Sequence, residues 1–180
     1  MNARVFALAG RRPADATCEE PAIISDFTWG TGTGLDRIRA LADSPPHPLH
    51  AHLGLRFSEV EKGQVELVWT PSDAVRNPAG VVHGGYIAAA FDEVCGVTAI
   101  SLSNPATPYL TMSLNVDYLR PLLAGETYTA AGSVQQSGAT RTLVRAEITD
   151  ATGRLCAQAT CAFTPNRKLL EQASRAGGTE

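Results

Sequence analysis

The hydrophobic positions change their period along the chain, and these changes predict its secondary-structure elements. Leu35, Ile38 and Leu41 recur at helical spacing, and the proline-rich segment 44–48 ends this predicted helix. Residues 53–60 and 64–70 are typical of two strands that join near residue 62. Residues 81–102 follow as a long apolar segment, which predicts a second and longer helix.

Four strands are predicted after this helix, over residues 111–118, 127–136, 140–149 and 155–164. In the first of them, Met112, Leu114, Val116 and Tyr118 alternate with polar residues, the period of two that is typical of a strand. This order predicts an α+β fold in which one long helix packs on a mostly antiparallel sheet. We divide the chain into an N-terminal arm with a short helix (1–50), one domain (51–166) and a frayed tail (167–180).

Composition excludes several functional classes. The 180 residues fit one domain, and a net charge of -3 offers no basic surface for nucleic acid. Charged residues are 18%, against about 25% in an average domain, which suggests that an oligomer buries part of the surface. The first apolar run covers only residues 5–9 and no uncharged stretch is long enough to span a membrane, so we expect a cytoplasmic protein without a membrane partner.

The four cysteines have no spacing that indicates a metal site. Cys18, Cys95, Cys156 and Cys161 form no CxxC pair, and no histidine lies close in sequence to complete a zinc set. We interpret them as reduced, structural residues, and we expect neither a metal nor a cofactor.

Two glycines at the start of the long helix carry the first functional signal. Gly84 and Gly85 have no Cβ, so their backbone N–H groups are open to close approach by a ligand. These groups also lie at the positive end of the helix dipole, where donors lack internal partners. This arrangement is typical of an anion site or an oxyanion hole.

A carboxylate two turns further along the helix is the second signal. At 100° per residue, Asp92 projects from a face of small side chains, which must be filled by a closely packed helix or by a ligand. The small residues on that face are Gly85, Ala88, Ala89, Cys95, Gly96 and Ala99. Alternatively, Asp92 is a surface residue at the rim of a helix crossing. Burying it is costly unless it is paired or used.

Three neighbouring polar residues each allow two interpretations. His83 either caps the helix or orients a reacting carbonyl group. Asn77, which precedes Pro78, is either a functional polar residue or simply a turn residue. Glu93 lies about 100° from Asp92 around the helix, so we interpret it as solvated or ion-paired.

These residues resemble the hotdog-fold acyl-CoA thioesterases of the phenylacetate-type (PaaI-like) family. The resemblance rests on Asn77, Gly80, the segment 83–85 and a carboxylate nine positions after the histidine, Asp92. It continues through residues 115–121, 125–126 and 149–158, and covers the chain from about residue 53 to 164. It implies a long central helix wrapped by a curved antiparallel sheet, with a homodimer or homotetramer whose active sites lie at the subunit interface.

The resemblance also implies roles for individual residues. Asp92 matches the catalytic carboxylate, which acts as general base on water or as nucleophile, and the Gly84 N–H matches the oxyanion donor. Asn77 matches the residue that positions the water or the carbonyl, and His83 the residue that orients substrate. Thr111 matches a hydroxyl residue that assists the water, a role that some relatives give to the position of Gly96.

Coenzyme A would need cationic contacts for its phosphates. Arg120, Arg141 and Arg145 are candidates, although each is equally acceptable as a surface charge, and Gly85 is a candidate for substrate contact beside Gly84.

The resulting hypothesis is a thioesterase that hydrolyses an aryl- or medium-chain acyl-CoA to the free acid and CoA. The alternative is a non-catalytic, acyl-CoA-binding sensor domain, which would carry a helix-turn-helix where the first 50 residues offer one short helix. A hotdog hydratase or dehydratase would use another arrangement of histidine and acid, so the spacing from His83 to Asp92 disfavours it.

Overall fold

The computed structural model describes residues 29–176. Two short helices, α1 and α2, precede strands β1 and β2, and the long helix α3 separates these strands from β3 to β6 and a final helix α4. The elements are α1 Gly34–Ala42, α2 Pro48–Leu53, β1 Leu55–Glu61, β2 Gln64–Trp69, α3 Gly84–Leu102, β3 Tyr109–Tyr118, β4 Tyr128–Ser137, β5 Thr142–Asp150, β6 Leu155–Pro165 and α4 Arg167–Ala176.

The six strands form one sheet in the order β1-β2-β4-β5-β6-β3, and every described pairing in it is antiparallel. Helix α3 lies across this sheet and buries its bulky residues, among them Phe91 and Val94, against Leu67 and Ile148. By length and composition α3 is apolar enough to cross a membrane, but half of it is buried inside the fold. The α+β class, helices α1 and α3 and all six strands are confirmed.

Between α1 and the sheet, the described residues contain a helix that was not predicted, α2. Pro48 occupies the first turn of α2, where its missing N–H is no loss, and Gly54 ends the helix in the left-handed conformation with φ of 79°. The strand predicted from residue 53 therefore begins at Leu55. Helix α1 packs so closely on α3 that a Cβ on Gly34 would stand 1.7 Å from the carbonyl oxygen of Ile100.

Ten residues of the segment predicted as a frayed tail, 167–176, form a helix. Helix α4 covers Arg167–Ala176, and the Asn166 side chain accepts a hydrogen bond from the Leu169 N–H at its start. This helix was not predicted because its composition is mostly polar and because a single capping side chain marks its start. Residues 1–28 and 177–180 lie outside the described residues, and with them Cys18 and most of the predicted arm.

Strand β3 forms one edge of the sheet and contains a bulge. Thr111 pairs with Phe163 of β6 and Ser113 with Ala162, so Met112 is an extra residue and is 61% exposed. The predicted alternation is therefore wrong at Met112. The extra residue shifts the alternation of side chains between the two faces of the strand by one position. Thr111 therefore lies on the same helix-facing side as Leu114.

Candidate active site

The carboxylate of Asp92 is held at one oxygen. The hydroxyl of Thr111 donates to Oδ1 at 2.8 Å, and the Cys161 thiol lies 4.0 Å from the same atom. Asp92 is half-buried, and Oδ2 contacts no hydrogen-bonding group of residues 29–176. Because Oδ1 is fixed by β3 and β6, Oδ2 is the atom of this carboxylate that is available to a water molecule or a carbonyl carbon.

The surface beside Asp92 is made of small residues, as the helical spacing predicted. Ala88 and Gly96 are half-buried, and a Cβ built on Gly96 would meet only the Phe163 ring, at 4.0 Å. The bulky side chains of α3 face the sheet instead. Asp92 therefore opens onto a shallow apolar surface with room for a ligand or a second chain.

Cys95, which lies next to this carboxylate, is a poor candidate for a nucleophile. Cys95 and Cys161 are both buried beneath Asp92. The hydrogen bond between these two thiols, together with burial, raises the pKa of Cys95 far above its usual range. Cys95 therefore stays protonated, and a protonated thiol is a poor nucleophile.

The start of α3 places two backbone donors and one histidine together. The Nδ1 atom of His83 accepts a hydrogen bond from the Gly85 N–H at 3.0 Å, so His83 caps the helix. This bond assigns the proton of the neutral imidazole to Nε2. Among residues 29–176, no atom accepts a hydrogen bond from the Gly84 N–H, whereas the Gly84 carbonyl oxygen accepts one from the Tyr118 hydroxyl at 3.0 Å.

Gly84 and Asp92 are too far apart to act on one bond within a single chain. Eight residues separate them along α3, a rise of about 12 Å at ~1.5 Å per residue. A carbonyl group is only about 1.2 Å long. One carbonyl group of a bound molecule therefore cannot contact both groups of the same chain.

Asn77 is used locally. Its Oδ1 accepts hydrogen bonds from the backbone N–H groups of Ala79 at 2.9 Å and Val81 at 3.3 Å, which is the geometry of a turn. The oxygen is thus occupied, and the turn sets the approach of the chain to His83. The turn interpretation of Asn77 has direct support, while its role toward substrate stays a prediction.

The three candidate arginines lie in different places. Arg145 pairs with Glu147 at 2.8 Å on the outer face of the sheet, and Arg141 is exposed at the start of β5. Arg120 donates to the carbonyl oxygen of Leu155 and lines a groove of about 340 Å³ beside Gly84. A larger groove of about 410 Å³ has neither Gly84 nor Asp92 in its walls. Of the three candidate arginines, Arg120 is therefore the one that shares a groove with Gly84.

Sequence reasoning missed three contacts of the site. Glu93 is paired with the buried His50, with Nε2 2.6 Å from Oε1, and this partner was not predicted. The contacts of Tyr118 with Gly84 and of Cys161 with Asp92 were also not predicted. Each joins residues more than 30 positions apart, so no local pattern marks them.

Comparison with known proteins matches this fold and this segment to one superfamily. The family model described as the thioesterase superfamily matches residues 79–157. A Saccharolobus solfataricus protein named as an esterase is 32% identical over 107 residues, which are 59% of this chain and 75% of that protein.

Two solved structures extend the comparison to three dimensions. A Ralstonia eutropha protein named as a thioesterase related to phenylacetic acid degradation is 28% identical, with a TM-score of 0.64 over 71% of this chain and 97% of that one. A Streptococcus mutans protein bound to acetyl CoA is 24% identical, with a TM-score of 0.62 over 68% of this chain and 97% of that one. On these matches, the chain belongs to the thioesterase superfamily as a hotdog-fold, PaaI-like thioester hydrolase.

Proposed function

We propose that this thioester hydrolase acts on an acyl-CoA, with Asp92 as base or nucleophile and the Gly84 N–H as oxyanion donor. The observation that carries the proposal is the carboxylate of Asp92, fixed at Oδ1 by Thr111 and free at Oδ2 above an apolar surface. A thioester needs an activated oxygen nucleophile and a stabiliser for its developing oxyanion. Asp92 and the start of α3 supply these two parts without a metal.

In the general-base route, Asp92 takes a proton from water as the water oxygen bonds to the carbonyl carbon. The tetrahedral intermediate places its negative oxygen at the Gly84 N–H, and the Nε2–H of His83 is a second donor within the same turn. Collapse breaks the C–S bond, and the thiolate receives the proton from Asp92. In the nucleophilic route, Oδ2 attacks the carbonyl carbon and the C–S bond breaks, so that CoA leaves as the thiolate and a mixed anhydride remains on Asp92. Water then hydrolyses the anhydride, which frees the acid and the Asp92 carboxylate, and the proton released from the water goes to the thiolate.

The proposal requires a dimer, because one chain holds Asp92 and Gly84 about 12 Å apart. The edge strand β3 supports this requirement. It leaves one row of backbone groups without a strand partner among the described residues, and it exposes Leu110 and Met112 to 52% and 61%. Pairing of two β3 edges would cover these side chains. A homotetramer, built from two such dimers, stays a prediction.

The choice of coenzyme A as the thiol rests on two supports. The Streptococcus mutans neighbour was solved with acetyl CoA, and Arg120 lies beside Gly84, where a phosphate of CoA could reach its guanidinium group. The small apolar residues Ala88 and Gly96 on the partly exposed side of α3 favour an aryl- or medium-chain acyl group over a charged one.

Thiol release from a panel running from phenylacetyl-CoA to dodecanoyl-CoA tests the proposal. Asp92→Asn should lower kcat at least about 100-fold with the fold intact, because it removes the base or nucleophile. Asp117→Asn is the matched control, since this exposed carboxylate of β3 contacts Gln158 and not α3, and it should keep wild-type turnover. Unchanged turnover in Asp92→Asn would refute the assignment. Binding of the thioesters without thiol release by the wild type would favour the sensor alternative.

A further inference from the structure

Strand β3 contacts α3 at both candidate reactive groups. Near its start, Thr111 donates to Asp92, and at its end the Tyr118 hydroxyl donates to the Gly84 carbonyl oxygen. The Tyr118 ring also packs on the glycine, since a Cβ built on Gly84 would lie 3.4 Å from its nearest ring carbon. The proposed mechanism uses the first contact and assigns no role to the second.

The Tyr118 hydroxyl is the first member of a chain of hydrogen bonds. Its acceptor, the Gly84 carbonyl, belongs to the same peptide group as the Gly85 N–H, which donates to Nδ1 of His83 at 3.0 Å. Hydrogen bonds that pass through one peptide group polarise and strengthen each other. Tyr118 therefore favours the acceptor state of Nδ1, and with it the Nε2–H form of His83.

We propose that Tyr118 is a positioning residue for the thioester oxygen. Its hydroxyl holds the Gly84–Gly85 peptide so that the Gly84 N–H and the His83 Nε2–H keep a fixed direction toward the developing oxyanion. This inference rests on the proposed function, because it gives the two donors the role they have there. A purely structural role explains the contact less well, since Tyr118 is 52% exposed and His83 already caps the helix.

Tyr118→Phe keeps the ring and removes only the hydroxyl. We expect kcat to fall about tenfold and KM to stay within about twofold, because the oxyanion exists only in the transition state. The melting temperature should hardly change, since an exposed hydrogen bond adds little stability. Tyr109→Phe is the matched control. It lies on the same strand with its ring against Phe163, and its activity should equal that of the wild type.

The imidazole ¹⁵N spectrum of His83 gives a readout that a structural role would not move. In the wild type we expect an accepting Nδ1 and a protonated Nε2, and in Tyr118→Phe a shift toward a mixture of the two tautomers. An unchanged kcat, a change in KM alone, or an activity loss that tracks a lower melting temperature would each overturn the proposal. If the wild type releases no thiol from any substrate, the proposed function fails, while this spectrum still decides whether Tyr118 sets the His83 tautomer.

Discussion

Two variants that are inactive alone should restore activity when they share a dimer. Asp92→Asn removes the carboxylate, and Gly84→Val fills the place of the oxyanion with a branched side chain. A Cβ at that position would already lie 3.4 Å from the Tyr118 ring, so the two methyl groups of valine should also displace the side chain that holds this peptide. Under the proposed function, the rise of about 12 Å between the two positions requires each active site to take one of them from each subunit.

The expected recovery follows from counting sites. In a hybrid dimer, one site combines both defects, and the other combines the intact Asp92 of one chain with Gly84 of the partner subunit. Each hybrid should therefore show about half of the wild-type activity, and a randomly paired equal mixture about a quarter, since about half of its dimers are hybrids.

Co-expression with two different affinity tags isolates the hybrids, and thiol release from the best substrate of the panel measures them. Differently tagged Asp92→Asn chains purified in the same way give the background. If the hybrids are no more active than this background, Asp92 and Gly84 do not act together across two chains, and the distance argument is refuted.

Three further predictions test single contacts. Thr111→Val should lower kcat about tenfold and Thr111→Ser should restore it, because Thr111 holds the carboxylate through its hydroxyl and not through its methyl group; kinetics on both variants check this. Hydrogen bonds from the Thr152 hydroxyl, and to a smaller extent from Arg154, hold the pKa of Asp150 well below its usual range. Ionised Asp150 therefore stabilises the folded state fully at neutral pH, and this stabilisation is lost in acid. The difference in melting temperature between the wild type and Asp150→Asn should therefore shrink below about pH 4. Gly34→Ala should destabilise the protein by about 2–3 kcal/mol in denaturant titrations, whereas Gly96→Ala, with open space, should not.

The sheet and the long helix were predictable because their signals are local. Strands such as 155–164 combine β-branched and apolar residues between turn residues, and α3 is apolar over almost its whole length. Helix α2 was missed because its six residues, three of them histidine or proline, form less than two turns and have no detectable period. Its only clear marks are Pro48 at the start and Gly54 at the end.

The candidate site was predictable only where one helix carries it. The spacing of Gly84 and Asp92 along α3, and the small residues between them, follow from 100° per residue. The contacts that fix these groups come from β3, and their register depends on a bulge at Met112 that no residue pattern marks. Without the bulge, Thr111 would point away from the helix, and Asp92 would lose the one hydroxyl that it contacts among the described residues.

This dependence gives β3 a second role beyond completing the sheet. The strand holds Asp92 through Thr111 and Gly84 through Tyr118, and it is also the edge on which we place the dimer contact. A dimer built on this edge would bring Gly84 of the partner subunit toward Asp92 and restrain the residues that orient both groups. Loss of the dimer would therefore remove half of each site and loosen the other half, so activity should fall with dissociation before the chain unfolds.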